Sequence, residues 1–241
     1  MPNPMQNKKT LLQRLLVIYI TFFIVLVASI AHSFVTDFYR GATDGIELGE
    51  DIAEKWNSGM PRMIYMLDAR ILKTPEQHIE IPSETPGMEI RAEVRKLNLT
   101  VEKDAPGISP LSLAFHSIGG SGWLYFMIML CPLFYLFIII FMFMIIHSLR
   151  RSIREERTLD KKNVWYLRAI GLLTIVSELI ADLVDWIMSS QAAQILTQHG
   201  YVVDTNFHVS YSIIIMGILI LFAAEVFAIG QNLSEEQKLT I

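Results

Sequence analysis

Four long apolar runs divide the chain, and each is long enough to form a membrane-spanning helix. They occupy residues 15–36, 123–147, 167–189 and 207–230. Residues 123–146 carry no charged side chain. As a helix this stretch would be about 36 Å long, and a bilayer hydrocarbon core is about 30 Å thick. The pattern predicts an integral membrane protein with four transmembrane helices, the first retained rather than removed as a signal peptide.

The segment 37–122, between the first two apolar runs, has the patterning of a small folded insertion. Residues 88–94 and 97–101 alternate between apolar and polar side chains, which indicates half-buried strands. A further strand is expected over 63–71 and a helix over 43–58, with prolines at the turns. Three glycines at 119, 120 and 122 are expected to form a flexible hinge before the second span.

These patterns define the fold class as an all-α membrane bundle of four helices. A small α+β extracytoplasmic insertion lies between helices 1 and 2. The remaining segments are an N-terminal stretch at 1–14, a basic loop at 148–166, a short outer loop at 190–206 and a tail at 231–241, with Gly230 as the expected helix stop. Within 148–166 we expect helix 2 to continue to about Glu156, followed by a turn and the start of helix 3.

Composition and charge placement support a membrane protein and orient it. The chain of 241 residues is 52% hydrophobic and 18% charged, whereas soluble domains carry about 25% charge. Lysine and arginine concentrate in 1–14 and 148–166, and none occurs in 190–206. The positive-inside rule therefore places both termini and 148–166 in the cytoplasm. The basic segment is explained by this topology, and no direct nucleic-acid binding is expected. The single cysteine, Cys131, permits no internal disulfide.

Three carboxylates inside the third apolar run are the strongest indication of a site. Glu178, Asp182 and Asp185 stand four and three residues apart, so a helix places them on one side. Each acid at a bilayer centre costs about 2.5–3.5 kcal/mol. Protein, water or a ligand must therefore contact this side. Three interpretations stay open: a buried polar seam, a pocket for a ligand or signal, and a path for ions or protons.

Further polar residues give weaker indications. Glu225, in the fourth run, is either an interfacial carboxylate or a partner of Arg168 or another basic residue of the 148–166 loop, and it completes the intramembrane polar set. Four histidines are expected near the outer membrane face, where His32 and His208 form the most plausible outer-face ligand pair. No close ligand spacing supports a metal, and separate interfacial histidines are the simpler interpretation. No metal site or cofactor is expected.

No sequence motif for catalysis is present. The chain has no GxSxG, HExxH or CxxC, and we expect it not to be an enzyme. A partner-binding surface is expected on the cytoplasmic side, formed by Arg150, Arg151 and Arg154 with the apolar tail residues Leu239 and Ile241. The tail either frays or binds a partner as an added strand.

Two stretches resemble a known family. One is LDKKNV at 159–164 followed by LRAIG at 167–171. The other is EVF at 225–227 followed by Gly230, Leu233, Glu235, Glu236 and the terminal LTI. With four spans and a basic loop, this resembles the bacterial membrane family labelled domain of unknown function 2975, over residues 150–241. The resemblance implies a bacterial inner-membrane protein, often encoded beside a small helix-turn-helix regulator, and implies no catalytic residues.

The leading functional hypothesis is a membrane sensor or regulatory partner of a cytoplasmic DNA-binding protein, in contact with the lipid bilayer and self-associating as a homo-oligomer. One alternative is a small proton- or ion-coupled transporter that uses the three acids of the third run. Another is an immunity protein that binds an extracytoplasmic peptide through the insertion.

Overall fold

The computed structural model describes residues 4–33, 39–59, 62–75, 79–81, 90–155 and 161–239. The chain is mostly helical, with a small three-stranded antiparallel sheet and a separate antiparallel pair of short strands at 79–81 and 90–92. Its elements are α1 (Pro4–Ser33), α2 (Tyr39–Asn57), β1 (Arg62–Lys73), β2 (Ile79–Ile81), β3 (Ile90–Ala92), β4 (Lys96–Asp104), α3 (Pro110–Phe115), α4 (Gly122–Glu155), α5 (Lys161–Leu196), β5 (Val202–Val203) and α6 (Tyr211–Leu239).

Among the described residues, two helices have the length and apolar composition needed to cross a membrane. They are α4, over its full Gly122–Glu155 length, and the Tyr211–Leu233 part of α6. A shorter apolar stretch, Leu16–Ser29, lies in α1. The helical expectation holds for the runs at 123–147 and 167–189, which lie within α4 and α5, and for most of the runs at 15–36 and 207–230, which overlap α1 and α6.

The chain divides into two compact units. One comprises residues 1–47, 133–177 and 211–241 and is helical where it is described. In this unit α5 and α6 approach closely at two glycines. A Cβ atom added to Gly171 would lie 2.9 Å from the carbonyl oxygen of Gly217, and one added to Gly217 would lie 3.0 Å from that of Gly171. Such spacing requires glycine on both helices.

The other unit comprises residues 48–132 and 178–210 and contains the sheet. Its three strands lie in the order β4-β1-β5, and β4 pairs with β1 antiparallel from Arg62↔Asp104 to Arg70↔Lys96. Alternate residues of β1 face a core shared with α5. That core contains Leu67, Ala69, Ile71, Leu124, Val184, Met188, Ala192, Leu196 and Val203. The expected strands over 63–71 and 97–101 and the helix over 43–58 are confirmed.

Several expected boundaries are wrong, and buried contacts explain the differences. The 190–206 segment is not simply a loop, because α5 continues to Leu196 and buries Ala192 and Leu196 against the sheet. The expected continuation of the second helix to about Glu156 is confirmed, because α4 runs to Glu155. The fourth helix begins at Tyr211 rather than at 207.

Gly230 does not end α6, which runs to Leu239. A single helical glycine costs only about 1 kcal/mol relative to alanine, and the next residue, Gln231, is buried. Leu239 is therefore the last residue of a helix rather than part of an extended tail. Ile241 lies outside the described residues.

The glycines before α4 form a tightly packed turn, not the open hinge that was expected. Gly119 and Gly120 have φ angles of 61° and 66°, in the left-handed region that favours glycine. The Gly119 amide donates to the Met66 carbonyl at 2.9 Å, and the Met66 amide donates to the Ser117 carbonyl at 2.9 Å. The turn is thereby bonded to the middle of β1.

Candidate functional site

The acids of α5 differ in exposure along the helix. Glu178 is buried, Asp182 is half-buried and Asp185 is exposed. The predicted spacing on one side of a helix is confirmed by the continuous helical backbone. The three carboxylates therefore have different surroundings, and they are considered in turn below.

A short segment after α5 returns to the sheet and creates a polar cleft. The turn ends at Gly200, whose φ of 82° is left-handed, and the Tyr201 amide donates to the Leu196 carbonyl at 3.2 Å. The chain then pairs as β5 with the end of β1, at Ile71↔Val203. The Asp204 amide donates to the Arg70 carbonyl at 2.8 Å. This fold-back brings the residues after β5 beside the acidic side of α5.

The cleft is lined almost entirely by polar side chains. They come from β1, α5 and the segment after β5: Arg70, Asp182, Asp185, Trp186, Ser189, Asp204, Asn206 and His208. Its free volume is about 10 Å³, enough for about one water molecule. The cleft is thus a small, charged notch rather than a cavity for a drug-sized molecule.

Asp204 organises one wall of this cleft. Its Oδ1 atom accepts from the Asn206 amide nitrogen at 3.1 Å and from Asn206 Nδ2 at 2.9 Å. Its Oδ2 atom lies 3.3 Å from His208 Nε2, and His208 Nδ1 lies 2.9 Å from the Asn206 carbonyl. Both ring nitrogens of His208 therefore face oxygen acceptors, and only the doubly protonated ring can donate to both at once.

Helix α5 holds the opposite wall. Asp182 accepts from the Ser210 amide at 3.3 Å and from the Ser210 hydroxyl at 3.4 Å. One turn further along, Trp186 Nε1 donates to the Thr205 carbonyl at 3.0 Å. These bonds hold the segment 205–210 to α5 at both of its ends.

Asp185 contacts the sheet through Arg70. Arg70 Nη2 lies 3.5 Å from Asp185 Oδ2, and both side chains are more than half exposed. Exposed pairs of this kind contribute about 0–1 kcal/mol. The pair is therefore easily exchanged, and a competing cation could replace the guanidinium at Asp185.

Ser189 lies beneath these charges. The residue is 8% exposed and lines the cleft. Its hydroxyl can both donate and accept a hydrogen bond, so it suits a bound water or an ammonium group. Within the described ranges, no group of three or more His, Cys, Asp or Glu side chains is arranged to hold a metal ion.

Glu225, the fourth acid of the predicted intramembrane set, has a different partner. Glu225 accepts from Arg168 in a bidentate pair, with Nε–Oε1 and Nη2–Oε2 distances of 2.7 and 2.9 Å. Of the two interpretations of Glu225, the pair with Arg168 is the one observed. Arg168 and Glu225 belong to the helical unit, whereas Glu178, Asp182 and Asp185 belong to the unit with the sheet.

The remaining predicted residues are only partly placed. The His32 side chain lies outside the described residues, so its pairing with His208 stays a prediction. Arg150 is exposed near the end of α4, and Arg151 binds Glu155 one turn later, with Nε–Oε1 at 2.9 Å. Arg154 lies in the last turn of α4.

The comparisons identify the family. Residues 77–241 match the family described as "Protein of unknown function (DUF2975)". The chain belongs to this family. The match begins before β2, so it extends well beyond the 150–241 stretch that carries the resemblance in sequence. No curated protein and no solved structure matches the chain.

Sequence reasoning missed half of the cleft. Arg70 was part of a predicted strand, and Asp204 and Asn206 were part of a presumed loop. In the stretch 202–208 only Val202 and Val203 are consecutive strand-forming residues, so the sequence gives almost no indication of a strand there. A usable signal was that no Lys or Arg stands three or four residues from Asp185 in the sequence.

Proposed function

We propose that this chain is a multi-pass inner-membrane sensor that regulates a cytoplasmic DNA-binding partner. In this proposal α1, α4, α5 and α6 all cross the bilayer. The sheet and the polar cleft lie outside, and the termini and the basic α4–α5 junction lie inside. The positive-inside distribution of lysine and arginine supports this orientation, and family membership agrees with a membrane protein of no assigned chemistry.

One observation carries the proposal. Helix α5 is unbroken from Lys161 to Leu196. Its acidic half is bonded to the segment after β5 through Asp182 and Trp186, and its other end begins with Lys161 and Lys162 at the proposed cytoplasmic membrane surface. A ligand that changes contacts at the acidic half therefore acts on the same helix that begins at this surface.

The cleft favours a cationic ligand. Three aspartates line it against one arginine and one histidine, so a cationic group is attracted to it. Such a group would compete with Arg70 for Asp185, whose pair with Arg70 is long at 3.5 Å and exposed. The free volume suits an ammonium group, which is close to water in size, at the end of a larger molecule rather than the whole molecule.

The expected partner is a small helix-turn-helix protein at the cytoplasmic surface. We propose that Arg150, Arg151 and Arg154 contact an acidic surface of that partner, with Leu239 and Ile241 supplying an apolar contact. The bilayer surrounds the bundle, and copies of the chain associate with one another. In this proposal the three arginines bind a protein partner and not nucleic acid.

The test is affinity capture in native lipid discs, with a transcriptional readout. The tagged chain should recover a DNA-binding protein. Replacing Arg150 and Arg151 with glutamine should reduce recovery, whereas Arg95→Gln, an exposed arginine of the outer segment, should not. If no such protein is recovered, and deleting the residues after Leu233 leaves transcription of neighbouring genes unchanged, the proposal is wrong.

Topology can be tested separately by cysteine labelling. In a Cys131→Ala background, Thr100→Cys on β4 should react with a membrane-impermeant maleimide in intact cells. Lys161→Cys at the start of α5 should react only after the cells are opened. Labelling of Lys161→Cys in intact cells would overturn the orientation.

A transporter is the second candidate, and the burial of Glu178 favours it. A buried carboxylate on the membrane helix α5 is the kind of group that binds an ion or proton. This candidate predicts ion- or pH-dependent flux in liposomes that Asp182→Asn abolishes, and inert liposomes would exclude it. An immunity role predicts instead that deletion sensitises cells to an extracytoplasmic peptide.

A further inference from the structure

A second cleft lies in the unit with the sheet and shares no lining residue with the acidic one. Its walls come from β1, β4, the glycine turn at 119–120 and the last turns of α5, and its volume is about 290 Å³. Ligand pockets are typically about 300–1,000 Å³, so this cleft is large enough for a molecule the size of a modified amino acid.

The inner wall presents an unpaired hydrogen-bond acceptor. Gln191 Oε1 is buried and has no hydrogen-bond partner among the described residues. Beside it, a Cβ atom on Gly119 would lie 3.7 Å from that oxygen and 2.4 Å from Leu124 Cδ1. Buried acceptors are almost always paired, and leaving one unpaired is unfavourable. A ligand that donates a hydrogen bond here would satisfy it.

The other walls supply an apolar surface and a positive charge. Tyr65 and Ile195 line the cleft and are partly buried against the core. Lys103 also lines the cleft. Lys103 pairs with Met63 across the strands, and Met63 lies two residues before Tyr65, so the side chains of Lys103 and Tyr65 are on the same side of the sheet. The cleft thus combines an acceptor, an apolar wall and a cation.

We propose that this cleft binds an N-acylated apolar amino acid unit, either free or as the last residue of a peptide. The carboxylate of the ligand binds Lys103, its amide N–H donates to Gln191 Oε1, and its side chain packs against Tyr65 and Ile195. The proposed binding does not depend on the signalling role, because all of its contacts lie in the unit with the sheet.

The test uses N-acetyl-leucine and the full chain in lipid nanodiscs, with titration calorimetry. Saturable binding with a Kd of about millimolar or tighter is expected for a ligand of this size. Two probes isolate the contacts: N-acetyl-leucinamide lacks the carboxylate, and N-acetyl-N-methyl-leucine lacks the N–H donor. Each should bind at least about tenfold more weakly. N-acetyl-alanyl-leucine distinguishes a free amino acid ligand from the end of a peptide. A site for the end of a peptide binds this dipeptide at least as tightly as N-acetyl-leucine.

Variants locate the binding. Lys103→Gln and Gln191→Leu should each raise the Kd for N-acetyl-leucine by about tenfold or more. Lys96→Gln removes the same charge from the same strand but on the opposite side and should leave the affinity unchanged. Absence of saturable binding, or equal binding of all three leucine probes to the unaltered chain, would overturn the proposal whether or not the variants fold. Loss of the cytoplasmic partner would refute the sensor and leave this binding intact.

Discussion

The close approach of α5 and α6 gives a quantitative prediction. In Gly217→Ala the new methyl group would lie 2.5 Å from Ile175 Cγ1 and 3.0 Å from the Gly171 carbonyl oxygen. A β-branched side chain in a helix has one favoured χ1 rotamer, so Ile175 has little freedom to move aside. The helices must separate by several tenths of an ångström, and over-packing of this kind costs about 1–3 kcal/mol.

A matched glycine in the same helix isolates this cost. A Cβ atom on Gly230 would meet nothing within 4 Å, so Gly230→Ala reports only the helix preference for alanine, about 1 kcal/mol. Gly217→Ala should therefore be about 1–3 kcal/mol less stable than Gly230→Ala. For a chain of this size that difference corresponds to about 2–4 °C in Tm per kcal/mol.

The assay is thermal unfolding of both variants in the same detergent, followed by far-ultraviolet circular dichroism. Gly171→Ala provides a replicate from the other helix, since its methyl group would lie 2.9 Å from the Gly217 carbonyl oxygen. Equal Tm values for Gly217→Ala and Gly230→Ala would refute the reasoning, because they would show that no close contact constrains Gly217.

Three further predictions test individual contacts. Gly119→Ala should lower the Tm far more than Gly107→Ala. Both glycines have left-handed φ angles, but of the two only Gly119 has a neighbouring side chain within 4 Å of an added Cβ. Equal decreases in Tm would contradict this. Glu225→Gln should lower Tm, and exchanging the two charges as Arg168→Glu with Glu225→Arg should restore part of the loss; no recovery in the double variant would count against a direct pair. Trp186→Phe should speed amide hydrogen exchange in the segment after β5 and lower the free energy of unfolding by about 1 kcal/mol or less. Unchanged exchange would show that the indole hydrogen bond does not hold that segment.

Local patterns were sufficient to predict most of the helices and the main strands. The alternation over 97–101 appears as β4, and the apolar run at 123–147 lies within α4. These elements follow from side-chain periodicity, which is visible in a single sequence. The spacing of Glu178, Asp182 and Asp185 likewise needed only the helical repeat.

The partners of these acids could not be predicted in the same way. Arg70 and Asp185 are 115 residues apart in the chain, and their contact depends on β5, a strand of two residues. Such a strand has no pattern of its own and forms because Val203 completes a core made by other elements. The extension of α6 beyond Gly230 was missed for a similar reason, since the burial of Gln231 is a tertiary property.

The pairing of β5 with β1 also constrains the order of assembly. Ile71 and Val203 pair although they stand 132 positions apart in the chain. Pairings between distant segments form late because a long loop must first be closed. During synthesis, the free edge near the end of β1 has to wait until α4 and α5 have been made. An unpaired strand edge invites association with other chains, so the nascent protein is most exposed to aggregation in that interval, and proteins that shield strand edges would matter most then.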